Sequence, residues 1–126
     1  MTVDRFRFYA VTAALFGGLA VAFGAFGAHG IADPRAKGLI ETGAHYQLTH
    51  ALAAFAALAF WRWGAHRARL AALLFLAGSV LFAGSLYALA FGAPGWAGAI
   101  TPLGGTLFLA GWGVLAWAGF HLRPPT

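Results

Sequence analysis

The chain has 126 residues, of which 61% are hydrophobic and 9% are charged; a soluble domain carries about 25% charged residues, so the composition predicts an integral membrane protein. The absence of cysteine excludes disulfides, thiolate catalysis and cysteine-ligated metals. The net charge of +5 comes from basic residues scattered between apolar runs, which excludes the continuous basic stripe expected of a nucleic-acid-binding protein.

Four apolar runs follow one another along the chain, and each is long enough for a transmembrane helix of about 20 residues. Helices are expected because lipid offers no hydrogen-bond partner to an open sheet edge. We predict spans at approximately residues 8–29, 44–61, 70–91 and 102–120. The predicted fold is all-α, a single domain over residues 1–126 that forms an integral membrane four-helix bundle.

Span one ends in FGAFGAHG, residues 23–30. Helices in lipid associate through the close backbone approach of small residues, and the small residues of this span recur at roughly heptad spacing: Ala13, Gly17, Ala20, Gly24, Gly27 and Ala28. The run is longer than the core of a cleaved signal peptide, which is about 7–15 residues, so we expect it to be retained as an anchor. Gly30 is expected to end the helix in a left-handed conformation.

The connection to span two reads ADPRAKG, residues 32–38. Asp33 is expected to cap a helix whose first residue is Pro34, because a proline at that position gives up no intrahelical hydrogen bond. We therefore predict a short interfacial helix, approximately residues 35–43, that leads into span two.

Span two opens with a strongly polar stretch, ETGAHYQLTH, residues 41–50. On a helix, three- and four-residue spacings place Tyr46, Gln47 and His50 on one face. Ionisable groups inside an apolar run usually face protein rather than lipid. We expect His50 to meet His29 and Glu41 in the outer half of the bundle.

Spans three and four carry further small residues. Span three has two AGS triplets, residues 77–79 and 83–85. Span four opens with Thr101 and Pro102, which predict an N-cap followed by proline at the first helical position. The helix-packing residues predicted for the whole chain are Gly17, Gly24, Gly27, Gly84, Ser85, Gly104, Gly105 and Gly111.

The lysine and arginine residues predict the orientation, because cytoplasmic loops of membrane proteins are enriched in them. The side that carries the termini would hold six basic residues: Arg5, Arg7, Arg62, Arg67, Arg69 and Arg123. The opposite side would hold Arg35 and Lys37. Both termini are therefore predicted to be cytoplasmic, and the short connections leave no room for a soluble catalytic domain.

The polar cluster of span two admits several interpretations. Its side chains could hydrogen-bond across helices and hold the bundle in register. His29 and His50 could ligate a haem or, with Glu41, a metal ion, although span two lacks the HxxxH spacing that places two ligands on one helical face. Tyr46, Gln47 and His50 could hold a quinone headgroup, and protonation of His50 could gate transport.

Four blocks of the chain, GAFGAHG, ETGAHYQLTHALA, FAGSLYAL and GAITPLGG followed by GW, resemble the YgdD/YwdK-type family of small four-helix inner-membrane proteins, which carries a domain-of-unknown-function label. The blocks run from about Phe23 to Trp112. The resemblance implies four spans and an inner-membrane location, and it implies no activity. The positions that carry it are Gly24, Gly27, His29, Gly30, Glu41, Thr42, Tyr46, Gln47, His50, Gly84, Ser85, Tyr87, Thr101, Pro102, Gly104 and Gly105.

Topology and pattern together predict a polar pocket in the outer leaflet. Spans one and three end on the same side of the membrane on which spans two and four begin, and polar residues lie at all four of these ends. The expected ligand-binding members are His29, Glu41, Thr42, Tyr46, Gln47, His50, Tyr87 and Thr101.

For function, we expect a non-enzymatic accessory, assembly or scaffold component of a bacterial inner-membrane complex. Its expected partners are the lipid bilayer and other membrane-protein subunits or further copies of itself, and nucleic acid is not among them. The alternative is a binder or carrier of a small hydrophobic or redox ligand, namely a quinone, a lipid or haem. No catalytic residue, metal site or resident cofactor is predicted.

Overall fold

The computed structural model describes residues 2–123; Met1 and residues 124–126 at the two termini lie outside the described chain. The described residues form four α-helices, which confirms the all-α prediction. They are α1 (Val3–Gly30), α2 (Pro34–Arg62), α3 (Ala68–Ala90) and α4 (Thr101–Gly119), with a short 3-10 helix (Gly95–Ala99) before α4.

Three segments of the described chain are long and apolar enough to cross a membrane: Val3–Gly30, Ala68–Ala90 and Gly95–Gly119. The helix α2, with 29 residues, is longer than each of these segments. It is not among these three because His45, Gln47 and His50 interrupt its apolar run. The second predicted span is therefore helical, but its own hydropathy does not mark it as a membrane crossing.

The end of α1 differs from the sequence expectation. Gly30 is the last residue of the helix, and extended Ile31 caps it. The glycines with a positive φ are Gly64 and Gly92, at +86° and +98°, and not Gly30. A Cβ atom at Gly30 would lie 2.7 Å from the ring of Phe26, so a close ring contact accounts for this glycine.

The start of α2 confirms one prediction and corrects another. Asp33 caps the helix, since its Oδ2 accepts a hydrogen bond of 2.9 Å from the backbone N–H of Ala36, and Pro34 is the first helical residue. The separate short helix expected at residues 35–43 is instead the beginning of α2 itself. As a result, Gly38 and Gly43 lie inside α2.

The prediction for the start of α4 is also corrected. Thr101 is the first residue of the helix, and Ile100 occupies the N-cap position without a side-chain hydrogen bond. The Thr101 hydroxyl lies 2.5 Å from the Ser85 hydroxyl of α3. A tertiary contact has therefore replaced the local capping bond that the sequence pattern favours.

The helices run antiparallel and form an open row in chain order. α1 packs on α2, α2 on α3, and α3 on α4, and smaller contacts join α1 to α3 and α2 to α4, whereas no Cα atom of α1 lies within 8 Å of one of α4. In the described chain α2 and α3 each bury eleven residues, while α1 buries three and α4 five. The four helices thus form an open arrangement with α2 and α3 at its centre.

The outer helices pack through narrow seams with alternating spacings of four and three residues. Such spacing is typical of left-handed helix pairs. The seam of α1 consists of Ala13, Gly17, Ala20, Gly24 and Gly27, and its partners on α2 include Ala51, Ala44 and Ile40. The seam of α4 consists of Gly104, Phe108, Gly111, Leu115 and Ala118.

Most of the predicted packing glycines lie in these seams. A Cβ atom at Gly27 would come within 2.8 Å of Ile40, one at Gly111 within 2.7 Å of the Phe75 ring, and one at Gly104 would overlap the backbone nitrogen of Phe82. Gly84 and Gly105 lie outside the seams: Gly84 is exposed with no atom within 4 Å of a Cβ built there, and a Cβ at Gly105 would only touch the Phe82 ring at 3.9 Å. Ala28 is likewise exposed and outside the α1 seam.

Two ends of the molecule are used below as reference. The distal end holds the α1–α2 connection, the end of α3 and the start of α4. The N-terminal end holds the start of α1, the α2–α3 connection and the end of α4.

Candidate functional site

The first polar cluster is centred on Gln47, whose side chain is 5% exposed and joins three helices. Its Nε2 donates a hydrogen bond of 2.8 Å to the backbone carbonyl of Phe16 in α1. Because that carbonyl can only accept, Oε1 must face α3, where it accepts a bond of 2.7 Å from the Tyr87 hydroxyl. All the polar atoms of this cluster are thereby used within the chain.

The Tyr87 ring is held by both of its neighbours. It stacks on Phe23 of α1 with ring centroids 4.0 Å apart and an interplanar angle of 14°. On the α2 side it lies against Gly43, where a Cβ atom would come within 2.8 Å of the ring. Gly43 therefore makes room for the ring that donates to Gln47.

The second polar cluster joins α2 to α4 through His50, which is 3% exposed. Its Nδ1 lies 2.6 Å from the Tyr46 carbonyl, and its Nε2 lies 3.1 Å from Nε1 of Trp112. A carbonyl only accepts and an indole N–H only donates, so His50 is the neutral tautomer with its proton on Nδ1. Both ring nitrogens are therefore occupied.

Aromatic packing fixes the plane of the His50 ring. The ring of Phe108 lies parallel to it, with centroids 3.5 Å apart and an interplanar angle of 9°. The ring of Phe75 in α3 packs on another side of it, with ring centroids 5.6 Å apart. A haem or metal bound at His50 would have to displace the Trp112 donor from Nε2.

A third contact joins the distal ends of α3 and α4. The Ser85 hydroxyl donates to the Phe82 carbonyl at 2.9 Å and faces Thr101, as described above. Deeper in α3, the buried Ser79 hydroxyl donates to the Phe75 carbonyl at 2.9 Å. No buried side-chain nitrogen or oxygen within residues 2–123 lacks a hydrogen-bond partner.

The eight expected pocket residues do not gather in one place. His29, Glu41 and Thr42 have exposed side chains near the distal end. His50 lies nine residues beyond Glu41 on the same helix, which separates the two by roughly 13 Å along the axis. Gln47 meets Tyr87, His50 meets Trp112, and Thr101 meets Ser85, so the polar residues form three separate contacts. The described residues contain no group of three or more potential metal ligands.

An open groove with a volume of about 570 Å³ runs beside the second cluster, between α2 and α4. Small-ligand sites have volumes of about 300–1,000 Å³. Tyr46, which is 42% exposed, brings its phenol to this groove. The groove is lined by Tyr46, Thr49, His50, Phe82, Pro102, Gly105, Thr106, Phe108, Leu109 and Trp112. It thus contains two of the expected pocket residues, Tyr46 and His50.

Sequence reasoning missed the partners of these polar groups. Trp112 is the donor to His50, and the Phe16 carbonyl is the acceptor for Gln47. A tryptophan in an apolar run is typical of a membrane interface, and a backbone carbonyl carries no sequence signal. The spacing of the seam residues indicates how the helices are aligned with one another. This alignment was the sequence signal that could have placed Trp112 beside α2.

Comparisons with known proteins identify relatives along most of the chain. The family described as "Protein of unknown function (DUF423)" matches residues 23–105. This match includes Gln47, His50 and Tyr87 and ends before Trp112. No solved structure matches the chain.

Three bacterial relatives have similar length. A UPF0382 membrane protein of Haemophilus influenzae is 44% identical over 118 residues, which cover 91% of this chain and 95% of the relative. The UPF0382 inner membrane protein YgdD of Escherichia coli is 37% identical over 121 residues, with 93% and 92% covered. The UPF0382 membrane protein YwdK of Bacillus subtilis is 43% identical over 99 residues, with 75% and 80% covered.

Proposed function

This chain belongs to the DUF423 family of membrane proteins, and from that premise we propose that it is a non-enzymatic accessory, assembly or scaffold component of a bacterial inner-membrane complex. The inner-membrane location accords with the name of the Escherichia coli relative, an inner membrane protein, and with three helical segments that are long and apolar enough to span a membrane. The proposal includes α2 as a fourth crossing and both termini on the cytoplasmic side. The start of α2, residues 35–43, then lies at the outer interface.

The use of the buried polar groups supports a structural role. An enzyme presents a nucleophile, acid or base to a substrate. Here Gln47, His50 and Tyr87 spend their hydrogen bonds on neighbouring helices. These hydrogen bonds lock the row of helices together, and they occupy the polar atoms of His50 even though its ring lines the groove between α2 and α4.

The observation that carries the proposal is the open row itself. In a closed bundle the first and last helices also pack on each other, but here α1 and α4 do not meet, and each packs mainly along one narrow seam. Their remaining surface carries large apolar side chains, such as Leu15 and Leu19 on α1 and Leu109 on α4, which are 62%, 49% and 75% exposed. Such flanks offer two broad faces to a neighbouring membrane protein.

Site-specific photocrosslinking in cells tests this proposal. A photoreactive residue at Leu19 or Leu109 is expected to form a protein adduct of defined mass, whereas the same residue at buried Leu58 serves as the matched control and reports internal contacts. Adducts to lipid alone at both exposed positions would contradict the scaffold role. An adduct with twice the chain mass would identify self-association.

The groove between α2 and α4 favours a second candidate, a binder or carrier of a hydrophobic or redox ligand. It brings a phenol, an imidazole and an indole beside apolar side chains, which suits the polar ring and apolar tail of a quinone or a lipid. A quinone titration in nanodiscs tests this candidate. Quenching of tryptophan fluorescence is expected, and a Trp112→Phe variant is expected to lose the saturable part of it. Quenching without saturation would contradict specific binding.

A further inference from the structure

A second cavity lies at the N-terminal end of the molecule, outside the polar clusters described above. It has a volume of about 450 Å³ and lies between the α2–α3 connection and the end of α4. Its lining residues, which we call the basic pocket, are Gly64, Ala65, His66, Arg67, Ala118, Phe120, His121, Leu122 and Arg123.

The backbone around the basic pocket is well defined. The N–H of Arg123 donates a hydrogen bond of 2.8 Å to the Trp63 carbonyl, which ties the end of the described chain to the α2–α3 connection. Gly64 adopts a φ of +86°, and the stem of Arg123 packs over it at about 3.6 Å from where a Cβ would be. Ala65 and Ala118 are buried beneath. The pocket is thus part of the folded structure.

Charge in the basic pocket is of one sign. Arg67 and Arg123 are cationic, and none of the nine lining residues is acidic. The chain has three acidic side chains. Asp33 and Glu41 belong to the distal end of α2, and Asp4 lines a different cleft beside Arg5 and Arg69. No acidic side chain is therefore available to neutralise the pocket.

The strongest hydrogen-bonding groups of the basic pocket belong to its two arginines. Their planar guanidinium groups carry only donors and suit phosphate oxygens. Two such groups without a carboxylate among the lining residues suit an anion that carries several oxygens.

The apolar surroundings identify the source of that anion. Phe120 lines the pocket and is 86% exposed, and the nearby Trp117 is 52% exposed. Exposed aromatic side chains at the end of a spanning helix lie at the headgroup level of a bilayer. Basic pockets between helices on the cytoplasmic side of a membrane protein suit anionic lipid headgroups, and the proposed orientation places the N-terminal end on that side.

We propose that the basic pocket binds the phosphate group of an anionic phospholipid, with Arg67 and Arg123 holding the phosphate oxygens and Phe120 lying beside the glycerol and upper acyl chain. The pocket thereby fixes the N-terminal end of the helix row to the adjacent leaflet. This site is independent of the proposed scaffold role.

Native mass spectrometry of the full-length protein in detergent tests the site. Retained phosphatidylglycerol is expected on the wild-type protein and phosphatidylcholine is not. The double variant Arg67→Gln/Arg123→Gln is expected to bind phosphatidylglycerol about 30-fold more weakly, because each basic residue near an anionic lipid contributes about fivefold. Arg5→Gln/Arg7→Gln removes the same charge from the same end without touching the pocket, and it is the matched control.

A conservative variant separates loss of binding from loss of folding. Arg67→Lys/Arg123→Lys keeps both charges and is expected to restore most of the affinity, while circular dichroism checks that each variant remains helical. Equal weakening by both Gln pairs would overturn the pocket in favour of a diffuse charge effect. Equal retention of phosphatidylcholine would overturn the anion preference, and displacement of the lipid by equimolar inorganic phosphate would overturn the lipid as the source.

Discussion

Single residues of this chain act mainly by closing hydrogen bonds between helices. Gln47 illustrates the point, because one amide side chain serves the backbone of α1 and the phenol of α3 at the same time. In hydrocarbon an unpaired amide or hydroxyl is costly, so each partner constrains the other. The sequence predicted that these residues face protein, because polar side chains within an apolar run seldom face lipid.

The Gln47–Tyr87 pair can be measured by a double-mutant cycle. Gln47→Leu and Tyr87→Phe are each expected to lower the free energy of unfolding by about 1–3 kcal/mol, because each leaves the other's polar atom without a partner. The coupling energy is expected to be about 0.6 kcal/mol and no more than about 1.7, the range for interhelical bonds in membranes. Unfolding in SDS, followed by circular dichroism, measures all four proteins. Additive effects would mean that the bond contributes nothing.

Trp112→Phe tests the second cluster. The variant keeps an aromatic ring but removes the donor to His50 Nε2, so a loss of about 0.5–1.5 kcal/mol in the free energy of unfolding is expected. Trp96, which is 70% exposed, offers the matched control Trp96→Phe, for which little change is expected. An equal effect of the two substitutions would show that the His50 contact is without consequence.

At the scale of helices, the sequence predicted those features that depend only on residues close together in the chain. The Asp33 cap and Pro34 were predictable because both act on the same turn of helix. Thr101 was not, since its hydroxyl turns to Ser85 of another helix. The heptad spacing of small residues in α1 predicted its seam. Gly84 of α3 also lies among small residues, but it faces outward, because the larger Phe75, Phe82 and Phe108 set the register of α3 against α4.

The contrast between Gly104 and Gly84 gives a test at this scale. Gly104→Ala is expected to destabilise the protein by about 1–3 kcal/mol, because the new methyl group would meet the backbone of α3, which cannot turn aside. Gly84→Ala is expected to change stability by no more than about 0.5 kcal/mol, since nothing lies near it. Thermal or SDS unfolding of the two variants side by side measures the difference. Similar losses in both would contradict the tight α3–α4 seam.

At the scale of the whole molecule, charge rather than packing determines orientation. The six arginines at the N-terminal end and the two basic residues at the distal end predict that both termini face the cytoplasm. The open row itself was not predictable, because short connections require only that consecutive helices be neighbours. Whether the first helix also meets the last depends on crossing angles that a hydropathy pattern does not contain.

Reporter fusions measure the orientation. An alkaline phosphatase fused at either terminus is expected to be inactive, and green fluorescent protein at the same positions is expected to fluoresce. Insertion of the phosphatase after Ala93, between α3 and α4, is the internal control and is expected to be active. Reporters that place the two termini on opposite sides would exclude an even number of crossings.

The central position of α2 has a consequence for how the protein reaches its membrane. This helix is the least hydrophobic of the four, yet it lies between α1 and α3, buries its Gln47 amide against both, and buries its His50 imidazole against α3 and α4. Alone it would gain little by leaving the insertion channel for the lipid. The release of α2 from the channel into the lipid is therefore expected to require that α1 and α3 are already present. The helices are then expected to enter the membrane together rather than one at a time.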